Sequence, residues 1–191
     1  MGRVFCISLK QIIVLLVLVL VVVVGVVWSV ERINTHKLWA SMLRESQRLM
    51  VHLERVAYLL PAKFQKNMDF TTQSWLNAEL CYATTSLLEL SDLDSAHQVQ
   101  LGKILYLIDT IRDPSTDLSW LNSTEQTRMM KAIHDIGQKV AQAYWSILNC
   151  TSIDVVNGPP FWYFGPAPPN ETILEEAAQK AFNLTEEIKH I

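Results

Sequence analysis

The chain has 191 residues, half of them hydrophobic, and a formal charge of −3 from sixteen Lys and Arg against nineteen Asp and Glu. It lacks the basic excess of a nucleic-acid-binding domain, so nucleic acid is not expected as a partner. No glycine-rich phosphate loop and no nucleophile elbow occurs in the sequence, which argues against the common enzyme classes. We therefore expect neither catalysis nor a cofactor.

An uncharged apolar run from Ile12 to Trp28 follows a short N-terminal tail, residues 1–11. Fifteen of its seventeen residues are Ile, Leu or Val, and such a run gains roughly 5 to 9 kcal/mol on insertion into a bilayer. Seventeen helical residues span about 26 Å, close to the hydrocarbon thickness of about 30 Å. Residues 12–30 are therefore predicted to be a transmembrane anchor, with the lipid bilayer as its partner.

Two other interpretations of the apolar run compete with the anchor. Arg3 and Lys10 resemble the basic start of a signal peptide, but the run exceeds the usual length of roughly 7 to 15 apolar residues and no A-x-A-like cleavage site follows. A buried strand would suit the many β-branched residues, although strands rarely exceed about ten residues. A helix also satisfies its own backbone hydrogen bonds in lipid. We expect the segment to remain attached.

Behind the anchor, apolar residues recur at alternating steps of three and four, which is the spacing of a buried helix face. Five sets of this kind lie in residues 31–191: Trp39, Met42, Ser46, Leu49, Leu53, Val56 and Leu60; Leu76, Leu80, Ala83, Leu87 and Leu90; Leu101, Ile104, Ile108 and Ile111; Met129, Ile133, Ile136, Val140, Ala143 and Ile147; Leu174, Ala177, Ala181, Leu184 and Ile188. The predicted fold is all-α: a single N-terminal transmembrane helix followed by an antiparallel helical bundle of four to five helices.

Start and stop signals mark these helices. Pro61 ends the first of them, and the absence of Gly and Pro between Trp28 and Leu60 predicts that the membrane helix runs directly into it. The stretch "SDLDSA" precedes the third helix. The predicted capping boxes are Asn122 or Ser123 with Glu125 or Gln126 for the fourth helix, and Thr172 with Glu175 for the last.

Sequons and cysteines favour a domain outside the cytoplasm. The four N-x-[ST] sequons are at Asn122, Asn149, Asn170 and Asn183. We expect one or two of them at most to be glycosylated, because the first and third also lie where helix caps are needed. Cys81 and Cys150 form a candidate disulfide in an oxidising compartment, and two unpaired thiols are the alternative.

The stretch "AIHDIGQKV", residues 132–140, resembles the His-Asp dipeptide of the HD family of metal-dependent phosphohydrolases. The resemblance implies that His134 and Asp135 bind a metal together with a distant His and Asp. His97 lies upstream, and the only later Asp is Asp154. The isoleucines on either side of the dipeptide occupy core positions, which turns His134 and Asp135 toward the flank of the helix.

The stretch "NGPPFWYFGPAPPN", residues 157–170, sets four consecutive aromatic residues among five prolines. The aromatic residues are Phe161, Trp162, Tyr163 and Phe164. The prolines stiffen the segment and reduce the entropy that is lost when it docks. Such a loop either binds a protein partner as an exposed knob or covers the end of the bundle as an internal lid.

Together these patterns predict a single-pass membrane-anchored extracytoplasmic helical-bundle protein with a structural, sensory or partner-binding role. The plan of anchor plus bundle is similar to that of the ligand-sensing domains of membrane receptors, in architecture only. We expect an accessory subunit or a surface adaptor. The alternative, from the HD resemblance, is a membrane-tethered cytoplasmic metal-dependent hydrolase.

Overall fold

The computed structural model describes residues 9–65, 69–150 and 169–190. This part of the chain is helical apart from short connections, and it contains no strand. Short 3-10 turns cover Leu60–Phe64 and Ser95–His97. The five α-helices are α1 (Leu9–Leu59), α2 (Phe70–Leu93), α3 (Gln98–Arg112), α4 (Ser123–Cys150) and α5 (Glu171–Lys189). The all-α prediction is confirmed.

Helix α1 joins the apolar run to the first helix of the bundle without interruption, as predicted. Its 51 residues extend about 77 Å. Among the described helices it is the one that is long and apolar enough to cross a membrane, with a mean hydropathy of 3.3 over its most apolar window. None of that window is buried by the rest of the chain. The helix ends where Pro61 places the chain in a 3-10 turn, because its ring cannot continue the helix.

The core of the bundle consists of the side chains that the steps of three and four predict. Every member of the five predicted sets is buried, apart from Ile147, whose side chain lies outside the described residues. Ser46 is the one polar member, and its hydroxyl donates to the carbonyl oxygen of Leu43 at 2.9 Å. The five faces meet in one continuous hydrophobic cluster.

The helices are arranged so that α1 packs against α2 and α4, while α5 packs against α3 and α4. An ion-pair ladder shows that α4 and α5 run antiparallel. Its rungs are Arg128–Glu187, Asp135–Lys180 and Lys139–Glu176. Helices α3 and α5 instead run parallel, because Lys103 pairs with Glu175 and, further along both helices, Tyr106 contacts Lys189.

The two ends of the bundle differ in their distance from the apolar run. Helix α4 is antiparallel to α1, since Gly137 lies against Met50 while the earlier Met130 lies near the later Ala57. The end of α4, the turn between α2 and α3 and the start of α5 therefore lie together at the end nearest the apolar run. We call this the proximal end. The turn Leu60–Phe64 and the α3–α4 connection lie at the opposite, distal end.

Lys63 ties the distal connections together. Its ammonium group donates to the carbonyl oxygens of Ile111 and Asp113, the second at 3.1 Å, where α3 ends. The last carbonyls of a helix lack partners within the helix, and a cation also suits the negative end of the helix dipole. Burial lowers the pKa of Lys63, and the nearby Asp113 carboxylate opposes that shift.

Asparagine side chains start the last two helices. Asn122 and Glu125 form the capping box predicted for α4: the Asn122 side chain accepts from the Glu125 N–H, and the Glu125 carboxylate accepts from the Asn122 N–H, both at 3.0 Å. The capping box predicted for α5 at Thr172 and Glu175 is wrong. Asn170 caps this helix by accepting from the backbone N–H three residues later at 3.2 Å, so Thr172 already lies in the first turn.

Gly137 allows α4 to lie directly against α1. A Cβ atom at this position would lie 3.2 Å from the Cβ of Leu53 and 3.3 Å from the Cα of Met50. Gly102, exposed in the middle of α3, has no such neighbour within 4 Å. The two glycines therefore form a matched pair, one in a tight helix contact and one in open space.

Gly137→Val is expected to lower the free energy of unfolding by about 1 to 3 kcal/mol, because the added methyl groups overpack the contact between α1 and α4. Gly102→Ala should raise it by up to about 1 kcal/mol, because alanine favours helix and nothing obstructs the added methyl group. Urea unfolding of the full chain in detergent micelles, followed by circular dichroism, measures both. A Gly137→Val variant as stable as the wild type would contradict the close contact.

Candidate functional site

Three buried side chains with polar groups meet at the proximal end: Asp94, His97 and Tyr144. Asp94 follows α2, His97 precedes α3, and Tyr144 lies on α4. The Tyr144 hydroxyl donates to Asp94 Oδ2 at 2.7 Å, and His97 Nδ1 lies 2.9 Å from the same carboxylate. This cluster, which we call the proximal cluster, joins α4 to the turn between α2 and α3.

The electrostatics of the proximal cluster keep Tyr144 neutral. Burial raises the pKa of its hydroxyl far above the ordinary value, and the hydrogen bond and negative charge of Asp94 raise it further. His97 Nε2 lies 3.9 Å from the carboxylate of Glu171, the first residue of α5. The Asp94 carboxylate therefore orients the imidazole, and the exposed Glu171 carboxylate stands near the other side of the ring at the start of α5.

A cleft of about 560 Å³ opens at the distal end between α3, α5 and the α3–α4 connection. Its acidic and aromatic side chains are Asp109, Asp113, Asp117, Tyr106 and Trp120. Such a lining suits a small cation, and the chain supplies one itself. Lys189 Nζ lies 3.9 Å from the centroid of the Tyr106 ring.

Two aspartates of the distal cleft shape the α3–α4 connection. Asp113 accepts from the N–H and the hydroxyl of Ser115, and Asp117 accepts from the N–H of Ser119, each at 2.8 Å. These bonds to Ser115 lower the pKa of the Asp113 carboxyl. The Asp-x-Ser spacing is a turn signal that the sequence analysis passed over. The carboxylates of Asp113 and Asp117 therefore stabilise turns.

The outward face of α2 carries large exposed apolar side chains. Phe70, Trp75, Tyr82 and Leu88 are 83, 61, 57 and 48 % exposed. From Phe70 to Leu88 the only charged residue is Glu79, which is buried against α1. We call this surface the α2 face. Its members are Phe70, Thr71, Ser74, Trp75, Ala78, Cys81, Tyr82, Thr85 and Leu88.

Glu79 explains how α2 is oriented with this face outward. Its carboxylate lies 2.7 Å from His52 Nδ1 and 3.2 Å from Arg55 Nη1, both on α1. The one charge in the segment is therefore turned inward and paired. The spacing of the buried residues in α2 does not reveal the α2 face. The sequence signal for this face is the absence of charged residues on the opposite side of the helix.

The sequon asparagines that the structure describes are all exposed. Asn122 and Asn170 cap helices, and Asn183 on α5 accepts a hydrogen bond from Gln179 at 2.8 Å. The side chain of Asn149 lies outside the described residues. Glycosylation of these positions stays a prediction.

The predicted disulfide joins one described side chain to one that is not described. Cys81 is exposed on the α2 face. The side chain of Cys150, at the end of α4, lies outside the described residues. In the described part of the chain, α2 and α4 both pack against α1, and no Cα atom of α2 lies within 8 Å of one on α4. The pairing stays a prediction.

The aromatic segment lies mostly outside the described residues, including Phe161, Trp162, Tyr163 and Phe164. Its end is described: Pro169 is buried, and the Asn170 N–H donates to the carbonyl oxygen of Ala143 on α4 at 2.9 Å. The segment therefore rejoins the described bundle at the proximal end. The choice between knob and lid stays open.

The residues of the HD resemblance are not brought together. His134 is exposed on α4, and Asp135 pairs with Lys180 at 2.7 Å. His97 belongs to the proximal cluster with Tyr144, ten residues and about 15 Å further along α4. Asp154 lies outside the described residues. Within the described ranges, no group of three or more His, Cys, Asp or Glu side chains is placed to hold a metal ion.

Comparison with known protein families, with curated protein sequences and with solved structures finds no match to this chain. Its function is therefore inferred from physical features alone. Three of them stand out in the described residues: the bare apolar half of α1, the buried proximal cluster and the uncharged α2 face.

Tyr144→Phe is expected to lower the free energy of unfolding at neutral pH by about 1 to 3 kcal/mol, because it removes a donor from the buried Asp94 carboxylate. Tyr82→Phe, on the exposed α2 face, is the matched control and should change stability by less than about 0.5 kcal/mol. Urea unfolding of the full chain in micelles measures both.

The deficit of Tyr144→Phe should shrink as the pH rises. The folded state raises the pKa of Tyr144 above its unfolded value of 10.0, so its contribution is complete below that pH and falls above it, where only the unfolded chain ionises. Unfolding curves between about pH 9 and about pH 11 should therefore converge for wild type and variant. A deficit that stays constant over this range would contradict the buried neutral phenol.

Proposed function

We propose that this protein is a single-pass membrane protein whose helical-bundle domain, residues 31–191, lies outside the cytoplasm and has a structural, sensory or partner-binding role. One observation carries the proposal: the exposed apolar residues of α1 and the buried residues of the bundle core lie on the same continuous helix. The bundle is then held at the bilayer surface by its own first helix.

The apolar half of α1 is not buried by any other part of the described chain. From Ile12 to Val27 every large apolar side chain is more than two-fifths exposed. Exposed apolar surface of this extent is costly in water and is typical of a segment that lies in lipid. The helix of a soluble core would instead be mostly buried, whereas the most apolar window of α1 is entirely unburied.

Polar groups in and beside this segment are arranged as a bilayer requires. The Ser29 hydroxyl donates to the carbonyl oxygen of Gly25 at 2.8 Å, which satisfies it within the helix. Trp28 lies at the end of the apolar run, where interfacial aromatic residues are common. The Arg32 guanidinium lies 5.5 Å from the centroid of its ring, one turn toward the bundle.

The extracytoplasmic orientation is supported by the sequence and by exposure. Asn122, Asn170 and Asn183 are exposed within N-x-[ST] sequons, as glycosylation in the secretory pathway requires. Lys and Arg residues flank both sides of the anchor, but large domains translocate largely regardless of that charge.

A binding role is supported by the contrast between the surface and the interior of the bundle. The proximal cluster and the aspartates of the distal cleft are engaged in internal hydrogen bonds and ion pairs. The domain also has large apolar side chains exposed on its surface, and α2 carries four of them, Phe70, Trp75, Tyr82 and Leu88. A protein partner on the aromatic segment, residues 157–170, is part of the same proposal.

Thiol labelling of intact cells tests the anchor and the orientation together. A variant with one cysteine on α5 (Gln179→Cys, with Cys6, Cys81 and Cys150 replaced by serine) should react with a membrane-impermeant maleimide from outside, because position 179 is exposed. A variant with Cys6 alone (Cys81→Ser, Cys150→Ser) is the matched control and should react only after lysis. Both chains should stay in the membrane pellet after an alkaline carbonate wash.

Three outcomes would contradict the proposal. Labelling of Cys6 from outside, with the α5 cysteine at position 179 reached only after lysis, would reverse the orientation and favour the cytoplasmic hydrolase. Release of the chain by carbonate would remove the anchor. A mature chain that begins near Val30 by mass spectrometry would show that the apolar run is a cleaved signal peptide.

A further inference from the structure

The α2 face has a regular inner row of small side chains. Thr71, Ser74, Ala78, Cys81 and Thr85 recur at steps of three and four, the same spacing that the buried side of this helix shows. Trp75 and Tyr82 flank the row, and Phe70 and Leu88 stand at its ends. Helix α2 thus has two seams, one that packs against the bundle and one that faces outward.

The dimensions of the outward seam suit another helix. From Phe70 to Leu88 it extends about 28 Å. Small side chains in its centre allow a second helix to approach closely, and the exposed aromatic rings beside them offer large apolar contact surfaces. The row of small side chains is open in the described structure, and at its edge the Tyr82 ring stacks on His52 of α1 with 5.3 Å between the ring centroids.

The charge pattern of the outward seam indicates which partner can cover it. Two copies anchored in one membrane point the same way, so a two-fold axis along the membrane normal brings each residue of a shared face opposite its own counterpart. Any charge on that face would then meet a like charge, which is unfavourable. From Phe70 to Leu88 the α2 face has no charge, since Glu79 is turned inward and paired. The exposed carboxylates of Glu89 and Asp92 follow beyond Leu88.

Other outward surfaces of the bundle do not meet this condition. Helix α3 exposes Asp109 and Arg112, and the seam between α4 and α5 carries a ladder of surface ion pairs. If two copies of one of these surfaces met in parallel, like charges would lie opposite each other at several positions along the helices. The α2 face is therefore compatible with itself from Phe70 to Leu88, and the contact ends before the exposed carboxylates of Glu89 and Asp92.

We propose that the occupant of the α2 face is a second copy of this chain, docked in parallel in the same membrane, with Cys81 of each copy close to its counterpart. The proposal rests on the proposed function in one respect, since it requires both copies to be anchored in the same orientation. Anchoring also supplies affinity: a single helix face is smaller than the roughly 800 Å² per partner of a stable interface, and confinement to a membrane raises the effective concentration.

Oxidative crosslinking of the native cysteine tests this contact. The chain with Cys81 alone is expressed at low density, and isolated membrane fragments, open on both sides, are treated with copper phenanthroline. A disulfide-linked dimer of this chain should form at Cys81 at least about tenfold faster than at a control cysteine, Gln179→Cys, exposed on α5 in a chain without other cysteines.

Charge variants separate the contact from mere proximity. Ala78→Arg lies in the centre of the row and should slow crosslinking at Cys81 at least about tenfold, because it opposes two like charges. Co-expression of differently tagged Ala78→Arg and Ala78→Glu copies should restore crosslinking between unlike copies. Thr85→Lys and Thr85→Glu provide a second pair, and circular dichroism melting checks that each variant is folded.

The outcomes distinguish this proposal from the one on which it rests. If the α5 cysteine is labelled from outside on an anchored chain but Cys81 crosslinks no faster than that cysteine, the self-contact is wrong and the anchored domain stands. If Cys81 links to a different protein, the occupant of the face is not a second copy. A chain that carbonate releases from the membrane fails the proposed function instead.

Discussion

The shared use of α1 by the apolar run and the bundle core is the constraint on which the rest of the structure depends. The buried face of the bundle begins at Thr35, five residues or about 8 Å after the predicted anchor ends at Val30. No flexible linker separates the two parts, so one helix sets the rotation and tilt of the domain relative to the apolar run. In the proposed membrane arrangement, two copies would therefore hold the same end of the domain toward the bilayer, which is the condition that the proposed contact between α2 faces requires.

Two polar arrangements hold the bundle on this helix at opposite ends. At the proximal end, one carboxylate binds the hydroxyl of Tyr144 and the ring of His97, so that the end of α4 and the α2–α3 turn are held together at the end of the bundle nearest the apolar run. At the distal end, Lys63 lies in the turn that follows α1 and donates a hydrogen bond to a backbone carbonyl oxygen at the end of α3. Buried hydrogen bonds of this kind specify one packing of the helices more sharply than apolar contacts alone, because a different packing would leave buried polar groups without partners.

Much of this fold is predictable because its signals are local. Periodic spacing assigned the described core correctly, and the absence of Gly and Pro predicted the continuity of α1. The α5 cap was misplaced because Asn170 and Thr172 both fit a start signal, and the choice depends on the bond from the Asn170 N–H to α4, a contact distant in sequence. The Asp94–Tyr144 bond joins residues fifty positions apart for the same reason. The α2 face was not predicted, because a surface that binds a partner and a surface that contacts water can show the same periodic pattern. They differ only in how many charged residues they carry.

The distance between Val27 and Val51, both exposed on α1, tests the central claim most directly. One position lies in the apolar run and the other in the bundle, and a continuous helix separates their backbones by about 36 Å. Spin labels at both sites, in a chain whose three native cysteines are replaced by serine, can be measured by double electron–electron resonance in lipid nanodiscs. The labels are diluted with unlabelled chain so that only pairs within one copy contribute. A single narrow distribution near that distance is the expected result. A broad distribution, or one centred well below it, would show a hinge between anchor and bundle and contradict the account.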